Sequence, residues 1–445
     1  MDERSRFYAE RDLRSRELGL QAPAAELSIG IAIGENAWQR EAQVAVLALC
    51  NLAARTHRDI HLAIPQAPLL ARSLLVAADL REAAVLTIMA IDPYCRVKLV
   101  DDVRHVSNSV AVGENVSPAR WYLGAAGYHG ILSESEQSIE PNSLVGASMA
   151  ACLGAAALFT TAHGHPVRAR RVSAWDCTEG FDDTHAQVPS IIDVGSVLVI
   201  GGGAVASALQ YWLQEFQVTG TWSIVDGDLV ELHNTARGMC MFARHAGWAG
   251  VEKSRKVDVF AAAGTAAPFF GWYDQWVAAN DRARPDLILP LANERGVREA
   301  IAHRHEPVVL HATTSRSWQA QFHRHISGVD DCIACRVRGV ATPTRFGCSS
   351  APVGTSSEVS NDAALPFLSG AAGLFLLCAL LRLQDGSLYD DAVNQWSLDF
   401  LSTHRATQRS RRACLDDCIA ALPDTVRQNM TSKSRWANLR AVRKG

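Results

Sequence analysis

The stretch VGSVLVIGGG (residues 194–203), continued by AVASALQYWLQEF (204–216), decides the fold class. Apolar, β-branched residues run into three glycines, and the apolar spacing then changes to that of a helix. Further apolar runs follow: TWSIVD (221–226), 287–291 and 307–311, separated by segments of helical spacing. Strands alternating with helices predict a parallel-rich sheet covered on both faces, a Rossmann-like α/β fold. Gly201-Gly202-Gly203-Ala204-Val205-Ala206 fits G-x-G-x-x-G/A after a strand and before a helix, and Asp226 ends the next strand. Glycines there let the backbone turn tightly and approach phosphates at a helix N-terminus, and the carboxylate can accept from a ribose. An NAD enzyme, an ATP enzyme and a structural glycine turn all fit this much.

Working outward, residues 1–185 repeat the order more faintly. LSIGIAIGE (27–35) reads as a strand ending in a glycine turn, 37–53 as a helix, and IHLAI, RVKLV and SVAVGE as short strands. Two uncharged runs, 142–162 and 365–381, are close to membrane-spanning length. They are rich in small residues, so we read them as tightly packed buried helices. SVAVGEN near residue 109 and LPLANER near 289 look alike, which suggests a duplication whose first copy is degenerate; two unrelated α/β domains are the alternative. The expected division is 1–185 for an inactive α/β copy, 186–425 for the working domain and 426–445 for a tail, with the linker in the polar stretch 174–190.

The composition narrows the function. A chain of 445 residues, 48% hydrophobic and 20% charged, can bury large cores and is neither disordered nor a small disulfide scaffold. A net charge of −3 gives no bulk basicity for nucleic acid. Eleven cysteines are too sparse for a secreted disulfide framework, and the charged start MDERSRFYAERDLRSRELGL has no signal-peptide core. The expectation is a cytoplasmic protein that binds neither nucleic acid nor membrane.

After Asp226 the sequence becomes more specific: Asp226-Gly-Asp228-Leu-Val230-Glu231-Leu-His-Asn234-Thr-Ala-Arg237, then Gly250-Val-Glu-Lys253. This resembles the E1-like family of adenylating enzymes that includes ThiF, MoeB and the ubiquitin-activating enzymes, with its D-x-D-x-V-x-x-x-N-x-x-R and G-x-x-K. The resemblance covers residues 194–422. It implies an ATP site built from Gly201, Gly203, Asp226, Asp228, Asn234, Arg237, Lys253 and Asn293, with Mg²⁺. An enzyme that must neutralise a triphosphate while a carboxylate attacks it has a use for fixed cations; an NAD-dependent oxidoreductase does not need them. One position departs from the family: its Asp-Asn pair after the strand at 287–291 reads Ala292-Asn293 here, followed by Glu294. Either Asp228 or Glu294 takes over the metal, or the chain is a non-catalytic scaffold.

Cys332-Ile-Ala-Cys335 and Cys414-Leu-Asp-Asp-Cys418 form two close pairs, a donor set suited to a tetrahedral structural Zn²⁺. A redox pair with two unrelated cysteines is the alternative. The resembling family has such pairs in these places, its second usually C-x-x-C. Cys348, in a Gly/Ser/Thr-rich loop near Arg345, has the exposure that a nucleophilic thiolate needs. The resemblance implies that Cys348 accepts the activated protein as a thioester, with Cys240 the minor alternative; Cys50, Cys152 and Cys378 read as core. The pair His323/His325 is assigned no role.

The resemblance therefore implies an enzyme that adenylates the C-terminal glycine of a ubiquitin-like protein, forms a thioester and passes it to an E2-like carrier. Sulfur-carrier-protein adenylylation is another outcome of the same chemistry. Pairing of two adenylation folds is met by a homodimer or by an internal pseudo-dimer. By analogy, bacterial ubiquitin-like conjugation operons, including those in antiviral defence, are the expected setting.

Overall fold

Every apolar run singled out above is a strand. The computed structural model describes residues 1–13, 22–180, 188–189, 191–264, 266–280, 283–292, 294–315, 318–327, 329–336, 365–400, 407–410, 412, 414–415, 418 and 435–436. Cys348, Asn293, residues 181–187 and 190 of the expected linker and nearly all of the tail lie outside them.

Among the described residues there are two sheets. The first contains β1 (Ile29–Ile33), β2 (Asp59–Ala63), β3 (Arg96–Leu99), β4 (Ser109–Val112), β5 (Trp121–Ala126), β6 (His129–Ser133) and β7 (Arg170–Ser173), in the order β3-β2-β1-β4-β5-β6-β7. The second contains β8 (Ile191–Ile200), β9 (Gln217–Asp226), β10 (Ala267–Phe270), β11 (Leu287–Pro290), β12 (Val308–Thr314), β13 (Gln319–Ile326), β14 (Val393–Asp399) and β15 (Thr407–Ser410), in the order β10-β9-β8-β11-β12-β13-β14-β15. Counted within each sheet, the two orders are the same apart from the extra β15. The pairing pattern also repeats. Five strands run parallel, and those that follow are antiparallel. β1, β4 and β11 are buried at every position, as parallel strands covered on both faces must be. The fold is mixed α/β, and the two halves share one topology.

The helices that matter for the site are α1 (Glu3–Arg11), α2 (Arg40–Ala53), α3 (Leu80–Ile91), α4 (Leu144–Ala162), α5 (Ala204–Leu213), α6 (Leu232–Thr235), α7 (Lys256–Ala262), α8 (Tyr273–Ala279), α9 (Arg295–Arg304) and α10 (Pro366–Asp385). The two uncharged runs are α4 and α10. Both are long and apolar enough to cross a membrane, and both are buried inside the protein. A helix apolar on every side needs cover on every side. α4 has β5 and β6 beneath it and α2 and α10 against its other flanks; α10 lies on β12, β13 and β8 and packs on α5. One hydrophobic core therefore runs through both halves.

Small residues set these distances. A Cβ on Gly130 of β6 would lie 2.4 Å from the Ala150 amide nitrogen, and one on Gly370 would lie 3.1 Å from Cys152 Sγ across the junction of the halves. Phe159 and Phe367 meet there with ring centroids 5.6 Å apart. Polar ties flank the apolar contact: Arg40 Nη2 pairs with Glu215 Oε2 at 2.8 Å, and Arg170 Nη1 donates to the Asp399 carbonyl at 2.8 Å.

Gly373 tests this close packing, because a Cβ there would lie 2.6 Å from Leu209 N and 2.7 Å from Ala208 Cβ on α5. Gly373→Ala should push α10 off α5 and destabilise the protein by about 1–3 kcal/mol. Urea denaturation followed by tryptophan fluorescence measures it; an unchanged midpoint would refute this packing.

Candidate functional site

The end of β8 turns sharply at Gly201, whose φ is +97°, a conformation that side chains resist. Its amide donates to the Val225 carbonyl at 2.8 Å, and a Cβ there would lie 2.7 Å from Ala292 N. The turn is thus wedged between β9 and the segment after β11. Gly203 is the N-cap of α5, has no side-chain cap, and a Cβ built on it would meet nothing within 4 Å. Among the described residues, then, no side chain caps the first turn of α5 and nothing crowds the space beside Gly203, an arrangement that suits an anion.

Asp226 holds this corner together. Its Oδ2 accepts from Gly202 N at 2.6 Å and its Oδ1 from Asp228 N at 2.8 Å. Burial pushes the Asp226 carboxyl up from its ordinary pKa, and Lys256 together with the two amide donors pulls it back. Lys256, the first residue of α7, is 2% exposed and reaches Asp228 Oδ2 at 2.7 Å. A Cβ on Gly202 would lie 3.2 Å from Lys256 Cβ, so this buried cation sits directly under the glycine turn.

The sequence expectation placed that cation at Lys253. Lys253 instead pairs with Glu231 Oε2 at 2.7 Å, with its side chain 43% exposed, and the expected string omitted Lys256. Asn234 is buried, and its Oδ1 accepts from Glu231 N at 2.8 Å, which closes the capping box of α6. Asn234 thus shapes the loop. Arg237 is half-buried on the turn that follows, its amide donating to the Asn234 carbonyl at 3.2 Å. The structure brings Gly201, Gly203, Asp226, Asp228 and Lys256 to one corner, with Asn234 and Arg237 on the adjoining loop. Ala292 touches the turn where the family has its carboxylate, and Glu294 is half-buried at the start of α9.

The matching corner of the first sheet is closed. A Cβ on Gly34, at the end of β1, would lie 2.3 Å from the Asn115 carbonyl oxygen, and one on Gly113 would lie 2.1 Å from Asn36 Oδ1. Asn36 Oδ1 accepts from Glu114 N at 2.8 Å, which fastens the two loops across the gap. β2 ends in Ala63 and is followed by Ile64, with no carboxylate in the place of Asp226. The space open over Gly203 is filled here.

The four cysteines of the two pairs do meet. Their sulfurs all lie within 4.8 Å of one another. Sulfurs bound tetrahedrally to zinc at ~2.3 Å stand about 3.8 Å apart, so this donor set fits Zn²⁺ in chemistry and in size. Cys332 and Cys418 Sγ are 3.5 Å apart, too far for a disulfide. The Cys332 thiol and amide both hydrogen-bond to Cys414 Sγ, holding Cys414 down at about 5. The neighbouring Asp331 carboxylate gathers Arg336 Nη2 (2.7 Å), Arg412 Nε (2.8 Å) and Asn394 Nδ2 (2.9 Å), which ties both cysteine segments to β14. His323 and His325 lie buried on β13, stacked with centroids 6.3 Å apart, and burial lowers both pKa values. Cys50, Cys152 and Cys378 are buried core residues, and burial pushes their thiols up. Cys240 is also buried, its thiol donating to the Ser207 carbonyl at 3.2 Å and raised to about 12 by that burial.

Purified without chelators, the protein should carry about one zinc per chain, and Cys332→Ser or Cys414→Ser should lose it together with thermal stability. Elemental analysis beside a melting curve reads both, and a metal-free wild type would exclude the site.

No family model matches the sequence, and no curated protein sequence matches it. Among solved structures the chain is similar to E. coli MccB, with a TM-score of 0.39 and 10% identity over 67% of this chain and 94% of that one. It is similar to E. coli MccB with MccA-N7isoASN at a TM-score of 0.37 and 12% identity, over 51% of this chain and 66% of that one. It is also similar to PaaA, at a TM-score of 0.35 and 14% identity over 49% of this chain and 64% of that one. In the last two matches the chain spans just under two thirds of the other protein's length.

Proposed function

We propose that the chain is an E1-like adenylating enzyme that uses ATP to activate the C-terminal glycine of a ubiquitin-like protein and then holds it as a thioester on Cys348 for an E2-like carrier. The observation that carries the reading is the corner itself: an uncapped helix N-terminus over an open glycine turn, with a buried Lys256–Asp228 pair beneath it. In this reading Asp226 accepts from the ribose, and the first amides of α5 take a phosphate. Lys256 and Arg237 offset the charge that grows as the glycine carboxylate attacks the α-phosphorus and pyrophosphate leaves. The Cys348 thiolate then attacks the acyl carbonyl, the C–O bond to phosphate breaks, and AMP departs. Asp228 or Glu294 is the carboxylate that would hold Mg²⁺ where Ala292 cannot. The cysteine cluster is structural. Residues 1–185 serve as the inactive partner of an internal pseudo-dimer, a role that fits their closed corner.

Ala292 favours one second reading, a scaffold that binds the ubiquitin-like protein without activating it. ATP–pyrophosphate exchange in the presence of a ubiquitin-like protein ending in glycine separates the two: exchange supports the enzyme, its absence the scaffold. NADH turnover would instead return the chain to the oxidoreductases.

Within the enzyme reading, Lys256→Ala and Arg237→Ala should each lower exchange on the order of 10²–10³-fold, the usual effect of removing one fixed donor, whereas Lys253→Ala stays near wild type. A normal rate in Lys256→Ala would remove that residue from the site. Cys348→Ala should keep exchange and lose the thiol-sensitive adduct on a non-reducing gel; an adduct that persists moves the nucleophile to another cysteine.

A further inference from the structure

The loop that carries Asn234 and Arg237 is gripped from the other half of the molecule. Arg55 follows α2 in the first half, and its side chain is enclosed, with 2% of the residue exposed. Its guanidinium donates to three carbonyls of the second half: Nη1 to Thr235 and to Met241 at 3.1 Å, and Nη2 to Met239 at 2.9 Å. Nε donates to Asn51 Oδ1 at 3.0 Å, and Asn51 Nδ2 donates onward to the Met239 carbonyl at 3.1 Å. Among the described residues no carboxylate pairs with Arg55. Burial without a counter-ion pulls its pKa down, to about 9.

A guanidinium is costly to bury, and this one is compensated by backbone dipoles that all belong to one short loop. The arrangement is specific to that loop's shape. Thr235 is the last residue of α6, so its carbonyl is one of the orphan acceptors at a helix C-terminus, where a cation is favoured twice over. Met239 and Met241 follow on the far side of Arg237. The three accepted bonds therefore bracket Arg237, fixing the backbone before and after it. Asn234 faces inward to its own capping box, so it holds α6 from the other end.

We propose that Arg55 is a positioning residue of the nucleotide site: from the first half it clamps the 235–241 turn and so fixes where Arg237 stands. The proposal rests on the adenylating reading above. It gives the first half a task that its closed corner does not suggest, namely to hold a catalytic loop of the second. An arginine suits the task because its planar fork reaches several carbonyls at once; lysine keeps the charge and loses the fork.

The test uses the full chain with Mg²⁺ and ATP. Equilibrium dialysis gives the ATP affinity of wild type, Arg55→Met, Arg237→Ala and the double variant, and amide hydrogen exchange is followed in the ATP-free proteins. Arg55→Met should weaken ATP binding about ten-fold, with Arg55→Lys recovering part of the loss. Exchange should speed up at 235–241 while β1 and α4 keep wild-type protection, which separates loss of the clamp from general unfolding. Because Arg55 acts through Arg237, the double variant should bind ATP no more weakly than Arg237→Ala alone. If Arg55→Met does not fold, Arg55→Lys is read in the same way. Additive losses, or exchange at 235–241 that stays at the wild-type rate, overturn the clamp alone. A wild-type chain that binds no ATP overturns the nucleotide reading, and the clamp with it.

Discussion

Two helices without a polar face, α4 and α10, must be kept from water on every side, and most of the architecture follows from that need. Neither sheet can do it alone. Each covers one flank of one helix, and the remaining surface is covered only when the halves come together with α2 and α5 as the further walls. The density of Gly and Ala on α4 and α10 is the sequence counterpart, since backbones that approach this closely leave no room for larger side chains. The halves therefore share a hydrophobic core that runs through both. The same docking brings the end of α2 against the loop after α6, so the site is built partly by a packing requirement some distance from it.

At the corner, the ordering of charges can be understood through burial. Asp226 spends its two oxygens on backbone amides, which fixes the glycine turn relative to β9 before any ligand arrives. Lys256 is buried and pairs with Asp228 at 2.7 Å, and its charge also acts on the Asp226 carboxyl beside it. Lys253 stands in solvent, where an ion pair with Glu231 contributes little. Low dielectric around Lys256 makes its field at the turn stronger than that of an exposed lysine three residues away. Preorganised charge of this kind is what phosphoryl chemistry uses.

Much of this was legible in the residues. The strands at 27–35, 221–226, 287–291 and 307–311 and the two uncharged helices were marked by apolar runs and small-residue content, because burial on both faces leaves that imprint directly. The repeat of topology was faintly visible in the order of those runs. That Lys256 and not Lys253 is the lysine buried beneath the turn was not, because spacing after a motif does not say which side of a turn faces inward. A signal did exist: Lys256 opens the segment KVDVFAA, whose apolar spacing predicts a buried face, and Lys253 does not. Arg55 was missed for a different reason. Asn51 and Arg55, four apart and at the end of an otherwise apolar helix, are polar groups that burial would leave in need of partners, yet those partners lie about 190 residues further along the chain. The closed corner at Gly34 depends on Asn36 accepting from Glu114 N and on Asn115 Nδ2 donating to Glu35 Oε2 across a gap, which no local pattern encodes.

The second cysteine pair shows how a local irregularity is absorbed by its surroundings. C-x-x-x-C is one residue longer than the resembling pattern, which on spacing alone weakens the case for a metal. The extra residue matters less once the segment's anchors are considered. β15 pairs with β14 and delivers the chain to residue 410, Arg412 is drawn to Asp331, and Cys418 N closes a turn onto the Leu415 carbonyl at 3.0 Å. The strand pairing and the Arg412 contact act from outside the pair and the Cys418 turn from within it, and both sulfurs reach those of Cys332 and Cys335 despite the longer loop. Asp331 in turn receives Asn394 of β14 and Arg336 beyond the first pair, while its backbone carbonyl accepts from His325 Nδ1 at 2.7 Å on β13. Asp331, through its carboxylate and its backbone carbonyl together, therefore joins two neighbouring strands and both cysteine segments. A metal held by the four thiolates would close this joint at the antiparallel edge of the second sheet. Zinc bound there would couple its affinity to the stability of that edge.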